Sequence, residues 1–212
     1  MTTSLLLQQL LSGADAQGIV LHDKEASQLI DFLELLQKWN KTYNLTSLRD
    51  PKDMVTKHLL DSLAVAPHLK GSRIVDVGSG AGLPGLPLAI VFPDREFLLL
   101  DSIGKKTRFM QHAVQTLGLT NVQVVQSRVE DYRATQGFAT VLSRAFANLK
   151  DFVTSSAHLC ANAAIMLAMK GAYPHAEIES LPPEIKVDQV MPLVVAGLEA
   201  ERHLVVMHKT DK

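Results

Sequence analysis

From residue 73 onward, short apolar runs alternate with segments of helical pattern, and this alternation is the feature that most constrains the fold. The runs lie at 73–77, 96–100, 122–126, 139–142 and 164–169. The helical segments between them recur at the intervals of βαβ units, so a mainly parallel sheet is predicted. Two later runs, near 187–195 and 203–208, have no convincing helix between them. They are predicted to pair as an antiparallel hairpin at the edge of the sheet.

The first 70 residues have a helical pattern instead. Asp23 is predicted to cap one helix, whose apolar residues recur at helical spacing. Asp50-Pro51 predicts a second helix start, because aspartate caps free backbone N–H groups and proline loses nothing in the first turn. That helix is predicted to end near Pro67. We therefore expect a helical extension over 1–70 and an α/β domain over 71–212.

Composition and charge exclude several classes of protein. The single Cys160 rules out an internal disulfide and a zinc site built from several cysteines. No apolar run reaches transmembrane length, and the start MTTSLLLQQLLSG has no basic region of a signal peptide. We therefore expect a cytoplasmic protein without membrane contact. The net charge of −1 gives no global attraction to nucleic acid, so any anionic partner must bind a local basic patch.

The stretch RIVDVGSGAGLPGLPLAI, over residues 73–90, has three of the 12 glycines of the chain within five positions. It covers the first predicted strand, the turn after it and the start of the next helix. Ligands of open α/β sheets bind at the carboxyl ends of strands, and glycine lets the backbone approach a ligand without a Cβ. Gly78, Gly80 and Gly82 therefore form either a ligand cradle or only a tight turn, and the triplet alone leaves these alternatives about even.

Asp101 ends the second run, FLLLD, nineteen residues after Gly82. A carboxylate at this place can accept hydrogen bonds from the ribose hydroxyls of a nucleoside. The alternative is that Asp101 only caps the helix that begins near Ser102. The glycine turn and Asp101 together favour a cofactor that contains a nucleoside.

Two residues distinguish the candidate cofactors. A dinucleotide fingerprint needs glycine or alanine where this sequence has Leu83, and without it the tight helix approach to a pyrophosphate is not expected. Asp76, before the first glycine, repels a pyrophosphate but suits a cation. S-adenosylmethionine has an adenosine, a sulfonium and an ammonium, and it therefore fits Asp76 and Asp101 better than NAD does.

At this point the sequence resembles a known family. DVGSGAGLPGLPLAI, with NKTYNLTSLRDP and HLLDSL upstream, is similar to the G-type small-subunit ribosomal RNA methyltransferases, also called the glucose-inhibited division protein B family. SRVED, LSRAFANL, MKG and ERHLVV extend the similarity, in order, over nearly the whole chain. The resemblance implies a seven-stranded, mostly parallel, Rossmann-like sheet of an S-adenosylmethionine-dependent methyltransferase over 71–212, preceded by the N-terminal helical extension.

The resemblance also implies a reaction and a site. The reaction is methylation at N7 of a guanosine, nucleotide 527 of bacterial 16S ribosomal RNA, and we expect the RNA to be bound within a small-subunit particle. The residues that the resemblance places at the cofactor are Gly78, Leu83, Val129, Glu130 and Arg144. To these the turn and the strand end add Asp76, Gly80, Gly82 and Asp101.

The residues agree with chemistry at a ring nitrogen. Methylation of exocyclic amines typically needs an Asp/Asn-Pro-Pro-aromatic loop after the fourth strand, where this sequence has Ser143-Arg144-Ala145-Phe146. Methylation of pyrimidine carbons typically needs a cysteine nucleophile, and Cys160 lies in an apolar stretch typical of a small buried residue. Guanine N7 already has a nucleophilic lone pair, so alignment with the methyl group suffices and no general base is expected.

Basic residues follow three of the predicted strands at the same edge of the sheet. Arg128, Arg144 and Lys170 come just after the third, fourth and fifth strands. We expect Arg128 and Lys170 to bind RNA phosphates, although each alone is more simply an ordinary surface ion. Phe146 is either a ring that stacks on a flipped base or, more commonly for phenylalanine, a core residue.

Other features leave their alternatives open. Lys105, Lys106 and Arg108 form either a solvated helix face or an RNA contact. His58 and Asp61 lie at helical spacing without a third ligand, so we expect a hydrogen bond or packing against the domain and no metal site. Two other functions also remain: methylation of a small molecule, and a non-catalytic binding module on the same fold.

Overall fold

The computed structural model describes residues 3–144 and 146–210, with one seven-stranded sheet at the centre. The strands are Arg73–Val77 (β1), Glu96–Asp101 (β2), Val122–Gln126 (β3), Phe138–Arg144 (β4), Cys160–Lys170 (β5), Ile185–Pro192 (β6) and His203–Lys209 (β7). Their spatial order is β3-β2-β1-β4-β5-β7-β6. Strands β1 to β5 pair in parallel, and β7 is antiparallel to both β5 and β6. The predicted parallel sheet with an antiparallel hairpin at its edge is confirmed.

Two strand boundaries differ from the predicted ones by more than two residues. Strand β5 begins at Cys160, four residues before the predicted start, and its register against β4 shifts in this part. The side chains there are half-buried or exposed, so no apolar run marks the beginning of the strand in the sequence. Strand β6 ends at Pro192. Leu193 and Val195, which belong to the predicted run, are buried in the core from the loop that follows.

The helices lie before the sheet and between its strands. They are Thr3–Ala16 (α1), Asp23–Tyr43 (α2), Pro51–Met54 (α3), Asp61–Leu63 (α4), Gly85–Val91 (α5), Gly104–Leu117 (α6), Leu149–Ser156 (α7) and His175–Glu179 (α8). A π-helical segment, Val55–Leu60, joins α3 to α4. Short 3₁₀ segments lie at Ala66–His68, Val129–Asp131 and Ala157–Leu159. Within the described ranges, no helix is long and apolar enough to cross a membrane.

One predicted helix start is confirmed and the other is wrong by one residue. Asp50 is the N-cap of α3, and its side chain accepts a 2.8 Å hydrogen bond from the Lys52 amide. The N-cap of α2 is His22, whose amide donates to the Glu25 carboxylate at 3.0 Å. Asp23 therefore lies in the first turn of α2 and does not cap it. A carboxylate there still stabilises the helix, because it interacts with the positive end of the helix dipole.

The sheet has an apolar layer on each face. On one face, Ile74 joins a cluster with the N-terminal helices, α5 and α6. Phe32 of α2 and Phe109 of α6 are fully buried there, with ring centroids 6.2 Å apart. On the other face, Val75 packs in a cluster with Phe152 of α7. The helical extension thus shares a core with the sheet, and its π-helical segment reaches the carboxyl end of β4.

Candidate active site

A pocket of about 390 Å³ opens at the carboxyl ends of β1 to β4, where a parallel sheet favours a ligand site. The predicted site residues that line it are Gly78, Asp101, Arg128, Val129, Glu130 and Arg144. Those that lie outside its wall are Asp76, Gly80, Gly82, Leu83 and Lys170. A larger cavity of about 870 Å³ lies around the first half of β5, and its wall has none of the predicted site residues.

The glycine turn after β1 has one glycine at the pocket and others that shape the backbone. Gly78, Gly80 and Gly82 have φ angles of 70°, 61° and 80°, in the region that favours glycine. A Cβ on Gly78 would extend toward Phe146, with its nearest contact at 3.7 Å. A Cβ on Gly82 would instead overlap the side chain of Leu86, inside the protein. The space that these glycines leave for a ligand is therefore at Gly78.

Asp76 acts behind the pocket. It is fully buried, and its Oδ2 accepts a 2.9 Å hydrogen bond from the Gly85 amide. Burial raises the pKa of Asp76 to about 7, although the Gly85 hydrogen bond and the charge of Arg144 act in the opposite direction. Oδ1 has no hydrogen-bond partner in the part of the chain that the structure describes. Asp76 thus fixes the turn and the start of α5.

Gly85 is the residue that the sequence analysis missed. Leu83 stands at the place of a missing third glycine, and Gly85, two residues later, was not part of the sequence-based prediction. A Cβ on Gly85 would overlap Leu99 and lie 2.8 Å from Asp76 Oδ2, so this glycine lets the helix pack closely on the sheet. Leu83 itself is buried in the core, 4% exposed. The signal was in the quoted stretch, as the glycine of its Leu-Pro-Gly-Leu-Pro segment.

Asp101 combines the two roles that the sequence left open. Its Oδ1 accepts from the Ile103 amide at 2.8 Å, at the start of α6, and its Oδ2 accepts from the Gly80 amide at 2.9 Å. Lys106 Nζ lies 3.7 Å from Oδ2. Asp101 also lines the pocket, and an ionised carboxylate has about four acceptor sites. It can therefore hold the loop and the helix start and still accept hydrogen bonds from a ligand.

The segment that follows β3 contributes a basic, an apolar and an acidic residue to the pocket wall. Val129 and Glu130 lie in the 3₁₀ turn Val129–Asp131, with Val129 buried and Glu130 exposed. Arg128, just before them, is exposed, and its side chain has no hydrogen bond or ion pair to any described residue. The wall here offers an apolar surface, an acceptor and a cation that remains available to a ligand.

The three predicted rim cations differ in their surroundings. Arg144 lines the pocket, and its Nη1 donates to Asp61 Oδ2 at 2.9 Å and to the Lys57 carbonyl at 3.2 Å. Lys170 lies outside the pocket and forms a 2.9 Å ion pair with Glu177, with its side chain 14% exposed. Glu177 therefore competes with a phosphate for Lys170, whereas Arg128 has no such competitor among the described residues.

The second basic group, Lys105, Lys106 and Arg108, also makes contacts within the protein. Lys105 donates to the carbonyl of Tyr43 at 2.8 Å, and Arg108 donates to a carbonyl of its own helix, that of Gly104, at 3.2 Å. Lys106 lines the pocket beside Asp101. Phe146 was expected to be either a ring that stacks on a base or a core residue. It lines the pocket and also packs on Phe152, with ring centroids 5.6 Å apart.

His58, Asp61 and Cys160 have structural surroundings. His58 Nε2 lies 2.9 Å from Thr46 Oγ1, and burial, together with the charge of Arg144, lowers the pKa of His58 to about 4. Asp61 is hydrogen-bonded to Arg144 and Arg202, so of the two expected roles the packing against the domain is confirmed for Asp61. Burial raises the pKa of Cys160 to about 11, and the residue borders the other cavity, away from the pocket. Cys160 is therefore neither ionised nor placed to attack a pyrimidine here.

The pocket fits S-adenosylmethionine in its donor and acceptor groups. Asp101 can accept from ribose hydroxyls, Arg144 can donate to a carboxylate, and the apolar wall at Val129 suits a base. The glycine at residue 78 keeps the floor of the pocket free of a side chain. The carboxylates of Asp101 and Glu130 in the pocket wall can accept hydrogen bonds from the hydroxyl and ammonium groups of such a cofactor.

Comparison with known proteins decides the family. Residues 25–205 match the sequence model described as "GidB: rRNA small subunit methyltransferase G". The chain belongs to this family. Two relatives named ribosomal RNA small subunit methyltransferase G are similar to it over nearly their full length. The one from Aeromonas salmonicida is 52% identical over 199 residues (94% of this chain, 96% of the relative), and the one from Yersinia enterocolitica is 51% identical over 203 residues (95% and 98%).

Membership of the GidB family confirms the resemblance found in the sequence. The chain is thus a ribosomal RNA methyltransferase, and the predicted cofactor, S-adenosylmethionine, is confirmed with it.

Solved structures confirm the fold of a Rossmann-like methyltransferase. A protein described as a SAM dependent methyltransferase from Aquifex aeolicus is similar with a TM-score of 0.57 and 18% identity, over 77% of this chain and 96% of that one. TrmN from Thermus thermophilus has a TM-score of 0.58 and 17% identity, over 82% of this chain and 53% of that one.

Proposed function

We propose that this member of the GidB family transfers the methyl group of S-adenosylmethionine to N7 of guanosine 527 in bacterial 16S ribosomal RNA. The observation that carries the proposal is the state of the side chains at the end of β4. Ser143 donates to the Val77 carbonyl at 2.7 Å, and Arg144 is bonded to Asp61. Neither is placed to orient an exocyclic amine, and Cys160 is remote and protonated.

Guanine N7 is the acceptor that such a site can serve. Its lone pair lies in the plane of the ring and is nucleophilic at neutral pH, so no proton has to be removed before the methyl group is attacked. When bound, S-adenosylmethionine supplies an electrophilic methyl on a positively charged sulfur. The protein then has to align the two partners, an effect of proximity and orientation. We assign no general base.

The pocket residues have distinct roles in this proposal. Asp101 binds the ribose of the cofactor, Arg144 binds its carboxylate, and Gly78 leaves room for it. Val129 and Glu130 form the wall beside the adenine. Asp76, Gly80, Gly82 and Leu83 maintain the turn that carries Gly78, from behind the pocket.

Cations at the pocket rim and beyond it are proposed to bind the RNA. Arg128 lies at the pocket rim with its guanidinium unbonded to any described residue, so it can bind a phosphate directly. Lys170 can do so by exchanging Glu177 for a phosphate. Phe146, at the same rim, can stack on a base drawn out of the RNA. We propose that the substrate is the small-subunit particle in the cytoplasm.

Transfer of a labelled methyl group tests this function. Purified protein and S-adenosylmethionine with a radioactive methyl are incubated with small-subunit particles from a strain that lacks the gene. Particles from the parent strain, already methylated, and large-subunit particles are the controls. We expect label only in the 16S RNA of the deletion strain. Label that stays in small molecules, or that enters all particles alike, would contradict the proposal and favour another substrate.

A further inference from the structure

The HLLDSL segment, upstream of the sheet, has no assigned contact with the cofactor or the RNA, yet one of its residues bonds to a residue of the pocket wall. Asp61, the first residue of α4, is 2% exposed, and a carboxylate is rarely buried without partners. Its Oδ2 accepts from Arg144 Nη1 at 2.9 Å, and its Oδ1 accepts from Arg202 Nε at 2.7 Å. We propose that Asp61 is the positioning residue for Arg144, so that the helical extension completes the cofactor pocket. The inference rests on the role of Arg144 in the proposed function.

Both hydrogen-bond partners of the Arg144 side chain belong to a short stretch of the helical extension, and both are bonded to the same nitrogen, Nη1. The same Nη1 also donates to the Lys57 carbonyl at 3.2 Å. Lys57 lies in the π-helical segment Val55–Leu60. Such turns are rare in proteins overall, but those that occur are often at functional sites. Among the described residues, Nε and Nη2 of Arg144 have no hydrogen bond, while the residue lines the pocket. The guanidinium is thus fixed through one nitrogen and keeps its other donors for a ligand.

Fixing the guanidinium in advance matters for binding. Arginine loses rotamer freedom when it binds a ligand, and a side chain already ordered by other contacts loses less. The planar group also donates in fixed directions, so a small displacement removes a two-point bond to a carboxylate. Asp61 therefore favours binding by ordering Arg144 before the cofactor arrives, although Asp61 itself does not line the pocket.

Arg144 is the cation of this cluster that borders the pocket. Asp61 is one carboxylate between two guanidinium groups, and Arg202 lies outside the pocket wall. His58 adds no charge at neutral pH, because burial and Arg144 lower its pKa to about 4. The carboxylate of the cofactor is therefore attracted by the guanidinium of Arg144 itself.

Arg202 provides a matched control within the same cluster. It lies just before β7, outside the pocket wall, and it donates to the other oxygen of Asp61. A variant of Arg202 loses the tie between Asp61 and the C-terminal hairpin but keeps the bond between Asp61 and Arg144. If Asp61 only joined the extension to the sheet, variants of Asp61 and Arg202 would have equivalent effects.

The test is a double-mutant cycle on the affinity for S-adenosylmethionine, measured by calorimetry on the full chain, with circular dichroism as the check of folding. We expect Asp61→Asn and Arg144→Met each to weaken binding by about tenfold or more, the effect of losing a charge-assisted hydrogen bond. The double variant should bind no more weakly than Arg144→Met alone. Arg202→Met should stay within about twofold of the wild type.

Three results would overturn the proposal: equal losses of affinity in Asp61→Asn and Arg202→Met, additive losses in the double variant, or wild-type affinity in Asp61→Asn. If Asp61→Asn does not fold, Asp61→Glu is judged by the same criteria, since it keeps the charge but moves the carboxylate by one methylene. Cofactor affinity is independent of the nucleotide that is methylated. A failed cycle with intact methylation therefore overturns this inference alone, and a successful cycle without N7 methylation overturns the proposed function alone.

Discussion

The backbone amide of Gly85 donates a 2.9 Å hydrogen bond to Asp76 Oδ2, and this bond joins the start of α5 to β1. A Cβ at residue 85 would overlap the Leu99 side chain and lie 2.8 Å from the same oxygen. The missing side chain therefore lets the helix approach the strand. Asp76 acts on the pocket through the turn that it anchors, since it does not form part of the pocket wall.

Asp76→Asn should change the pH dependence of stability. Burial raises the pKa of Asp76 from 3.8 to about 7, so the folded state binds more protons than the unfolded state between these values. The free energy of unfolding of the wild type therefore falls as the pH rises through this window. Asparagine keeps an acceptor for Gly85 and does not ionise. The stability of the variant relative to the wild type should rise by up to about 4 kcal/mol between pH 4 and pH 8.

Chemical denaturation at a series of pH values measures this difference. Asp94→Asn, at an exposed position, corrects for the general loss of one negative charge. A difference between Asp76→Asn and the wild type that is the same at every pH would show that the buried carboxyl does not titrate as described.

Gly78→Val should abolish cofactor binding in a folded protein. Its Cβ would extend into the pocket toward Phe146, and a φ angle of 70° disfavours any side chain. Gly118→Val is the matched control, because Gly118 has a φ angle of 65° at the end of α6 and open space around its Cβ. Both variants should lose at least about 1–2 kcal/mol of stability. Only Gly78→Val should lose affinity by calorimetry, and retained affinity would mean that the turn is structural only.

Asp101→Ala should weaken both the fold and the cofactor site. It removes the acceptor of the Ile103 and Gly80 amides and, in our proposal, of the ribose hydroxyls. A charge-assisted hydrogen bond contributes about 1.5–3 kcal/mol, so cofactor affinity should fall by about tenfold or more. Asp50→Ala removes a comparable helix cap outside the pocket wall and should lower the melting temperature only. Equal affinities in the two variants would reduce Asp101 to a capping residue.

Arg128→Ala should flatten the salt dependence of RNA binding. Each phosphate contact that is lost should lower the log–log slope by about 0.7–0.9.

Lys170→Ala should do the same, although its ion pair with Glu177 has to open first. Glu177→Gln keeps an acceptor for the Leu149 amide but releases Lys170, so it should strengthen binding. The measurement is the affinity for an immature small-subunit particle against salt concentration.

A distant lysine is the control for the salt experiment. Lys24 lies in the first turn of α2, and the far end of that helix, at Tyr43, meets Lys105 near the pocket. The helix rise places Lys24 roughly 30 Å from that end. Lys24→Ala should leave the slope unchanged. An Arg128→Ala slope equal to that of Lys24→Ala would make Arg128 a solvated surface charge.

The sequence predicted what depends on local pattern. All seven strands follow from runs of apolar residues, and the pocket follows from the turn at Gly78 and the strand end at Asp101, because these signals lie within a few residues of each other. The start of β5 was missed, since the bulge at its beginning has exposed side chains. Pattern identifies a strand only where one face is buried.

Contacts between distant parts of the chain could not be predicted in this way. Asp61 meets Arg144 across 83 residues and Arg202 across 141 residues, and no local window contains both partners. The sequence indicated only that Asp61 had a packing or hydrogen-bonding role. The same holds for Lys170, whose basic character was visible but whose pairing with Glu177 depends on how α8 folds back over β5.

The most direct test of the central claim is mass mapping of the modified nucleosides of 16S ribosomal RNA. RNA is taken from a strain without this gene, from the same strain with the gene restored, and from one restored with Gly78→Val. The account predicts that 7-methylguanosine at nucleotide 527 is absent from the first, present in the second and absent from the third. A 7-methylguanosine that persists without the gene, or a restored modification at another atom or nucleotide, would contradict it.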